Sequence, residues 1–162
     1  MNKIFNFVSS KLKNQKLTII NSDLNRNWGG FFRLADNESD NFIKLYFNRL
    51  NKYNLFSLGK VSSKILIISP NKRLSWQYHI RRTEIWKVVS GKIKVVTSHD
   101  DLERKEEILK EGDEIRLSKC ERHRIIGLDD YAVVAEIWIH TDKDNPSDEN
   151  DIVRLQDDFD IN

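Results

Sequence analysis

The run Leu74-Ser75-Trp76-Gln77-Tyr78-His79-Ile80-Arg81-Arg82-Thr83-Glu84-Ile85-Trp86-Lys87-Val88-Val89-Ser90-Gly91 decides how this chain is read. Gln77 and His79 are two apart, so on a strand their side chains share one face. Glu84 follows after a short connection, and Gly91-Lys92 reads as a tight turn into the next strand. Further on, Gly112 opens a run that ends at His123. An amide oxygen, two imidazoles and a carboxylate form a donor set suited to a borderline or hard divalent ion.

Around this run the pattern has period two. Lys64 to Ser69 is rich in isoleucine and leucine. Leu74 to Ile80 and Ile85 to Val89 alternate, and Ile93 to Thr97, Glu106 to Leu109, Glu114 to Leu117, His123 to Ile126 and Ala132 to His140 follow at short intervals. Short strands at this spacing predict an all-β sandwich or barrel with minor helices. Upstream, Met1 to Lys16 carries a rough apolar face (Ile4, Phe5, Val8, Leu12). Ser39 to Tyr53 predicts a better helix, with Phe42, Leu45, Tyr46 and Leu50 as its stripe and Ser39 as its cap. Thr141 to Asn162 is acidic and is expected to wrap as a tail with little structure. The expected plan for 1–162 is one domain: an N-terminal elaboration over 1–60 with the helix near 39–53, a barrel core over about 62–140, and the tail 141–162.

The chain has 162 residues, of which 39% are hydrophobic and 32% charged, the range of an ordinary globular protein. Its 27 basic residues nearly balance its 25 acidic ones, for a formal charge of +2. No global field calls for nucleic acid or an anionic membrane as partner. Cys120 is the only cysteine, which favours a reducing compartment. Met1 to Lys16 is too polar for a signal peptide, and no apolar run is long enough for a bilayer. The expectation is cytoplasmic.

These residues resemble the two motifs of the cupin superfamily. The first is glycine, five residues, His-x-His, three or four residues, Glu, six residues, Gly. Asn71 stands at its first glycine, Gln77 and His79 at its histidines, Glu84 at the carboxylate and Gly91 at the closing glycine. In the second motif Gly112 is the opening glycine, Ser118 and Cys120 replace the proline and glycine of Pro-x-Gly, and His123 is the histidine. The resemblance implies a double-stranded β-helix of jelly-roll type, and cupins commonly pair through sheet edges, so a homodimer is possible by analogy.

A closer resemblance is to type II phosphomannose isomerases, whose motif reads Leu-Ser-Leu-Gln-x-His-x-His-Arg-x-Glu-x-Trp-x-Val-Val-x-Gly. Trp28-Gly29 is similar to an early pair in that family, and Asn150-Asp151-Ile152-Val153-Arg154-Leu155-Gln156-Asp157-Asp158-Phe159 to its C-terminal signature. This resemblance implies a metal-dependent aldose–ketose isomerase that interconverts mannose 6-phosphate and fructose 6-phosphate. It assigns the metal to Gln77, His79, Glu84 and His123, with zinc the first choice and manganese, iron, cobalt or nickel next. Arg82 matches an arginine implicated in catalysis and would stabilise the enediolate; the alternative is a surface arginine beside Arg81. Arg154 would bind the phosphate or else pair with Asp151, Asp157 or Asp158, and Lys64 stands where it would also reach the phosphate. Glu136, on an apolar strand, is a proton shuttle if it faces the barrel mouth and an edge charge if it faces out. Ile80, Arg81 and Ile85 replace family histidines. That leaves open an isomerase or epimerase of another phosphorylated or nucleotide-linked sugar, or a non-catalytic sugar-binding cupin.

Overall fold

A computed structural model of the protein describes residues 2–50 and 59–158. Helix α1 (Lys3–Asn14) leads into a hairpin of β1 (Ile19–Arg26) and β2 (Gly29–Leu34). A short 3-10 turn, Asp36–Glu38, precedes α2 (Ser39–Tyr46). The remaining strands are β3 (Val61–Ile68), β4 (Trp76–Tyr78), β5 (Arg82–Ser90), β6 (Lys92–Ser98), β7 (Lys105–Lys110), β8 (Glu114–Leu117), β9 (Arg122–Gly127), β10 (Ala132–His140) and β11 (Val153–Gln156). They form two antiparallel sheets, ordered β1-β2-β3-β10-β5-β8 and β11-β4-β9-β6-β7. This is the all-β cupin jelly roll that the motifs implied.

The middle of the six-stranded sheet is covered on both faces, so β3 and β10 are buried at every position. Ile65 and Ile67 of β3, with Val133, Ala135, Ile137 and Ile139 of β10, face the helices. There they meet Phe5, Val8 and Leu12 of α1 and Phe42 and Ile43 of α2. Leu66 and Ile68, with Val134, face the other way, into the space between the sheets, and pack with Trp86, Val88, Ile93, Val95 and Ile125. By the same alternation Lys64, Glu84, Trp86, Glu136 and Trp138 are inward residues. The register ties them together: Glu136 lies opposite both Lys64 and Trp86, and Trp138 opposite Glu84.

Two expectations about the helix need correction. Ser39 does not cap it. Glu38 holds the cap position, and the single Ser39 hydroxyl hydrogen lies between the carbonyls of Asp36 (2.8 Å from Oγ) and Val61 (2.9 Å). The buried stripe is Phe42, Ile43 and Tyr46, while Leu45 is exposed; α2 ends at Tyr46, and residues 51–53 of the expected helix lie outside the described residues.

The sheets also reach beyond the expected 62–140 core. The β1–β2 hairpin extends the larger sheet through β2 pairing with β3. In the tail, β11 pairs with β4, setting Arg154 opposite Gln77. Phe159 lies outside the described residues.

The motif turns keep the backbone that glycine would allow. Asn71 and Cys120, which stand where the cupin motifs have glycine, both adopt left-handed conformations (φ 56° and 63°). Asparagine accepts that region more readily than most residues. At Gly91 (φ 78°) a side chain would be both strained and blocked, because an added Cβ would sit 2.6 Å from the Tyr131 carbonyl oxygen.

Candidate metal centre

His79 sits just after β4, Glu84 on β5 and His123 on β9, and all three are buried. A ligand atom from each lies within 4.8 Å of the others. His79 Nε2 is 3.2 Å from Glu84 Oε1, and His123 Nε2 is 3.7 Å from Glu84 Oε2. The far nitrogens fix which edge of each ring faces inward. His79 Nδ1–H donates to the Asp151 carbonyl (2.6 Å), and His123 Nδ1–H donates to the Glu121 carbonyl (2.9 Å). Both Nε2 lone pairs therefore point at the carboxylate, the arrangement typical of metal-binding histidines. His123 Nε2 is fully buried and takes no hydrogen-bond partner among the described residues. An orphaned buried acceptor beside a carboxylate and a second imidazole fits a divalent cation.

The electrostatics agree with that fit. Burial holds His79 down at about 4, with the charges of Arg82 and His123 adding to the effect against the pull of Glu84. Burial likewise lowers His123. Burial alone would raise Glu84, but His79, Arg82 and His123 around it hold the carboxyl well below its ordinary range. Two neutral imidazoles and an ionised carboxylate are the protonation states a metal needs.

Gln77 lies at the edge of this group. Its amide nitrogen is 3.5 Å from His79 Nε2, and its oxygen accepts from Ser75 Oγ (2.6 Å). Turning the amide over would bring the oxygen to the cluster and leave the nitrogen to donate to Ser75. The structure thus brings together His79, Glu84 and His123, with Gln77 adjacent.

Arg82 is buried in the site, and the surface alternative is set aside. Its Nε donates to Glu84 Oε1 (2.7 Å), Nη2 to His79 Nε2 (3.1 Å), and Nη1 to Ser147 Oγ (3.2 Å) and the Asp148 carbonyl (3.1 Å). Its guanidinium stacks on Trp138 at 3.7 Å. Glu136 faces inward as well. Its Oε2 accepts from the Trp86 indole (2.9 Å) and its Oε1 from the Trp138 indole (2.6 Å). Burial, reinforced by the nearby charge of Glu84, raises its pKa to about 7, against the lowering influence of Lys64, Arg82 and the Trp138 bond.

These groups line one cavity of about 910 Å³. Lys64 is a buried wall residue, 4.1 Å above the Phe31 ring and paired to Glu149 at 2.9 Å. Arg154 lies at the mouth, half-exposed, with its Nε 3.4 Å from Asp157.

Some functional residues were not visible in the sequence reading. Trp86, to which the sequence assigned no role in the site, shares its indole N–H between Glu84 (3.1 Å) and Glu136; its place two residues after Glu84 was the available signal. The stretch Asp142 to Asp151, within the expected loose tail, is not all solvated. Ser147 and Asp151 are buried, and the Asp151 carboxylate accepts from the backbone N–H of Ile80 (2.9 Å) and Arg81 (3.0 Å) and from Ser147 Oγ (2.6 Å). His140 is buried and lies 2.7 Å from Ser62 Oγ.

Residues 35–157 match the family described as the mannose-6-phosphate isomerase C-terminal domain. The chain belongs to that family. A mannose-6-phosphate isomerase C-terminal domain is a cupin-type unit, in keeping with the two sheets and the inward cluster. No curated protein matches the chain. Among solved structures, the chain is similar to the DMSP lyase DddQ from Ruegeria pomeroyi, at 14% identity over 59% of this chain and 43% of that one (TM-score 0.47). It is also similar to an oxalate oxidase in complex with glycolate, at 20% identity over 59% and 46% (TM-score 0.48). A third likeness is to a cupin 2 conserved barrel domain protein from Salinispora arenicola, at 19% identity over 48% and 61% (TM-score 0.42). The chain thus spans less than half the length of the first two. No helix among the described residues is long and apolar enough to cross a membrane.

Proposed function

We propose that this protein is a metal-dependent aldose–ketose isomerase of sugar phosphates, with mannose 6-phosphate and fructose 6-phosphate as the leading pair. The observation that carries this reading is the opening of two unlike carboxyl groups onto one cavity. Glu84 is ionised among the imidazoles, whereas Glu136 titrates at about 7. Environments that push two carboxyls apart in this way separate a ligand from a proton carrier.

Isomerisation moves a proton between C1 and C2, and negative charge grows on the carbonyl oxygen. A divalent ion held by His79, Glu84 and His123, with Gln77 as a fourth donor, would supply Lewis-acid polarisation of that oxygen, with zinc first in order and manganese, iron, cobalt or nickel after it. Glu136 takes the proton from one carbon and returns it to the other, a task suited to a carboxyl that titrates near the working pH. Its two indole partners hold its oxygens in place meanwhile. An ion that took the His79 Nε2 lone pair would release the Nη2–H of Arg82, which could then stabilise the developing oxyanion. Lys64 and Arg154 are the cations within reach of a phosphate, which would replace Glu149 or Asp157 as their partner.

The test is a metal analysis of the purified protein followed by NMR observation of mannose 6-phosphate in deuterated water. The expected result is conversion to fructose 6-phosphate with deuterium entering at C1 of the ketose, and at C2 of the mannose 6-phosphate re-formed from it, abolished by a chelator and restored by one of the named ions. A fully metal-loaded protein that interconverts none of a panel of hexose phosphates would overturn the proposal.

A further inference from the structure

The wall of the cavity opposite the tail comes from outside the family match. That match begins at residue 35, yet Asp23, Asn25, Arg26, Asn27 and Trp28 of the preceding β1–β2 hairpin line the same cavity as His79 and Glu84. Pairing of β2 with β3, Gly29 opposite Ile68, fixes the hairpin over the barrel mouth. Gly29 makes that close approach possible: a Cβ there would lie 1.9 Å from the Ile67 carbonyl oxygen.

Three features of this wall bear on its ligand. The Asn25 and Asn27 side chains, and that of Asn150 across the mouth, face the cavity without a side-chain hydrogen-bond partner among the described residues. An amide offers both a donor and an acceptor, the complement of a sugar hydroxyl. Beside them Trp28 packs its inner part against the barrel core while lining the cavity, which gives a partly exposed aromatic surface on which a sugar ring can rest. Finally, the charge on the hairpin itself is already balanced: Arg26 holds Asp23 at 2.8 Å. A wall of amides and an aromatic ring, with its one arginine neutralised by Asp23, favours an uncharged hydroxyl-rich group. At about 910 Å³ the cavity is also near the top of the range for drug-sized ligands, roughly 300–1,000 Å³, which is more than one hexose phosphate fills.

We infer that the hairpin forms a second subsite that reads the hydroxyls of a neutral sugar ring attached to the one held at the metal cluster. This rests on the proposed function only in placing a reducing sugar at His79, Glu84 and His123. The substrate class is then a reducing oligosaccharide or glycosylated sugar, with the reacting ring inside and the next ring between Trp28 and the asparagines.

The experiment is isothermal titration of the metal-loaded protein with mannose, mannose 6-phosphate and a panel of mannobioses of different linkage. It is run on the natural sequence and on the double variant Asn25→Ala/Asn27→Ala. Both residues are exposed and on a hairpin, and equal metal content and melting temperature establish that the variant is folded. At least one mannobiose is expected to bind the natural protein about tenfold tighter than mannose, equivalent to about 1.4 kcal/mol. The double variant is expected to lose most of that margin. If no mannobiose exceeds mannose, or if the margin survives in the variant, the second subsite is refuted. Mannose 6-phosphate in the same titration tests the first subsite separately, so a failure there is distinguishable from a failure of the hairpin.

Discussion

The main-chain oxygen of Asp151 lies 2.6 Å from His79 Nδ1, while the same residue's carboxylate holds the N–H groups of Ile80 and Arg81. One tail residue thereby fixes both the ring orientation of a candidate ligand and the start of the strand that carries Arg82 and Glu84. Hydrogen bonds from the Ser147 hydroxyl and the two amides hold the Asp151 carboxyl below its ordinary range despite burial, which would raise it. Asp151→Ala should therefore weaken metal binding by about 10–100-fold, the usual cost of losing an outer partner of a ligating histidine. Competition titration against a chelator measures it. Unchanged affinity in a folded variant would show that the tail only packs.

His79→Ala and Glu84→Gln each remove a ligand and should abolish stoichiometric metal. In the natural protein, free ion at about a hundred times its Kd should add about 2.7 kcal/mol of stability, seen as a rise in melting temperature that neither variant shows. Equal rises in all three proteins would place the ion elsewhere.

Glu136→Gln should bind metal as the natural protein does and lose turnover by about 10²–10⁴-fold, the range for removing a general acid–base group. Steady-state kinetics beside metal analysis separates the two effects. A variant that keeps full turnover would remove Glu136 from the chemistry.

Acid should destabilise the protein through its buried imidazoles. Burial is the main cause that holds His140 down at about 4, with the charge of Lys60 adding to it. The unfolded chain takes up a proton near 6.5, whereas the folded one does so only near 4. This contribution is thus complete above pH 6.5 and is lost as pH falls toward 4. His79 and His123, also lowered chiefly by burial, act in the same direction. Denaturant midpoints between pH 7.5 and pH 4.5, as an order-of-magnitude window around these values, should fall steeply for the natural protein and less steeply for His140→Gln. Parallel slopes would contradict the assignment.

The barrel was legible because its strands are signalled locally. Alternation puts Glu136 and Trp138 on one face of β10, and Glu84 and Trp86 on one face of β5, but leaves open whether Glu136 faces inward; the β5–β10 register decides that. The β1–β2 hairpin was not legible. Ile19-Ile20-Asn21-Ser22-Asp23-Leu24-Asn25-Arg26 lacks a clean period of two, and Gly29-Gly30 resembles a turn. Pairing with β3 overrides that weak local signal. The tail hid its role for a different reason. Asp151 is separated from Ile80 by 71 residues, and nothing in an acidic stretch tells which carboxylate will meet a pair of backbone amides. Arg82 shows the limit of reading a charged doublet: Arg81 and Arg82 are adjacent in sequence, and only the strand's pleat decides that Arg82 turns inward while Arg81 reaches Asn145 and Pro146.

The double burial of β10 has a consequence for how this protein can change. Ala135 and Ile137 press on the helical layer, while Glu136 between them projects to the opposite side. In a close-packed interior a methylene gained or lost beneath α1 or α2 is relieved by small backbone shifts, and here the backbone that yields is the one carrying the carboxyl. The N-terminal helices are thus a layer through which substitutions far from the cavity would shift Glu136 against His79, Glu84 and His123.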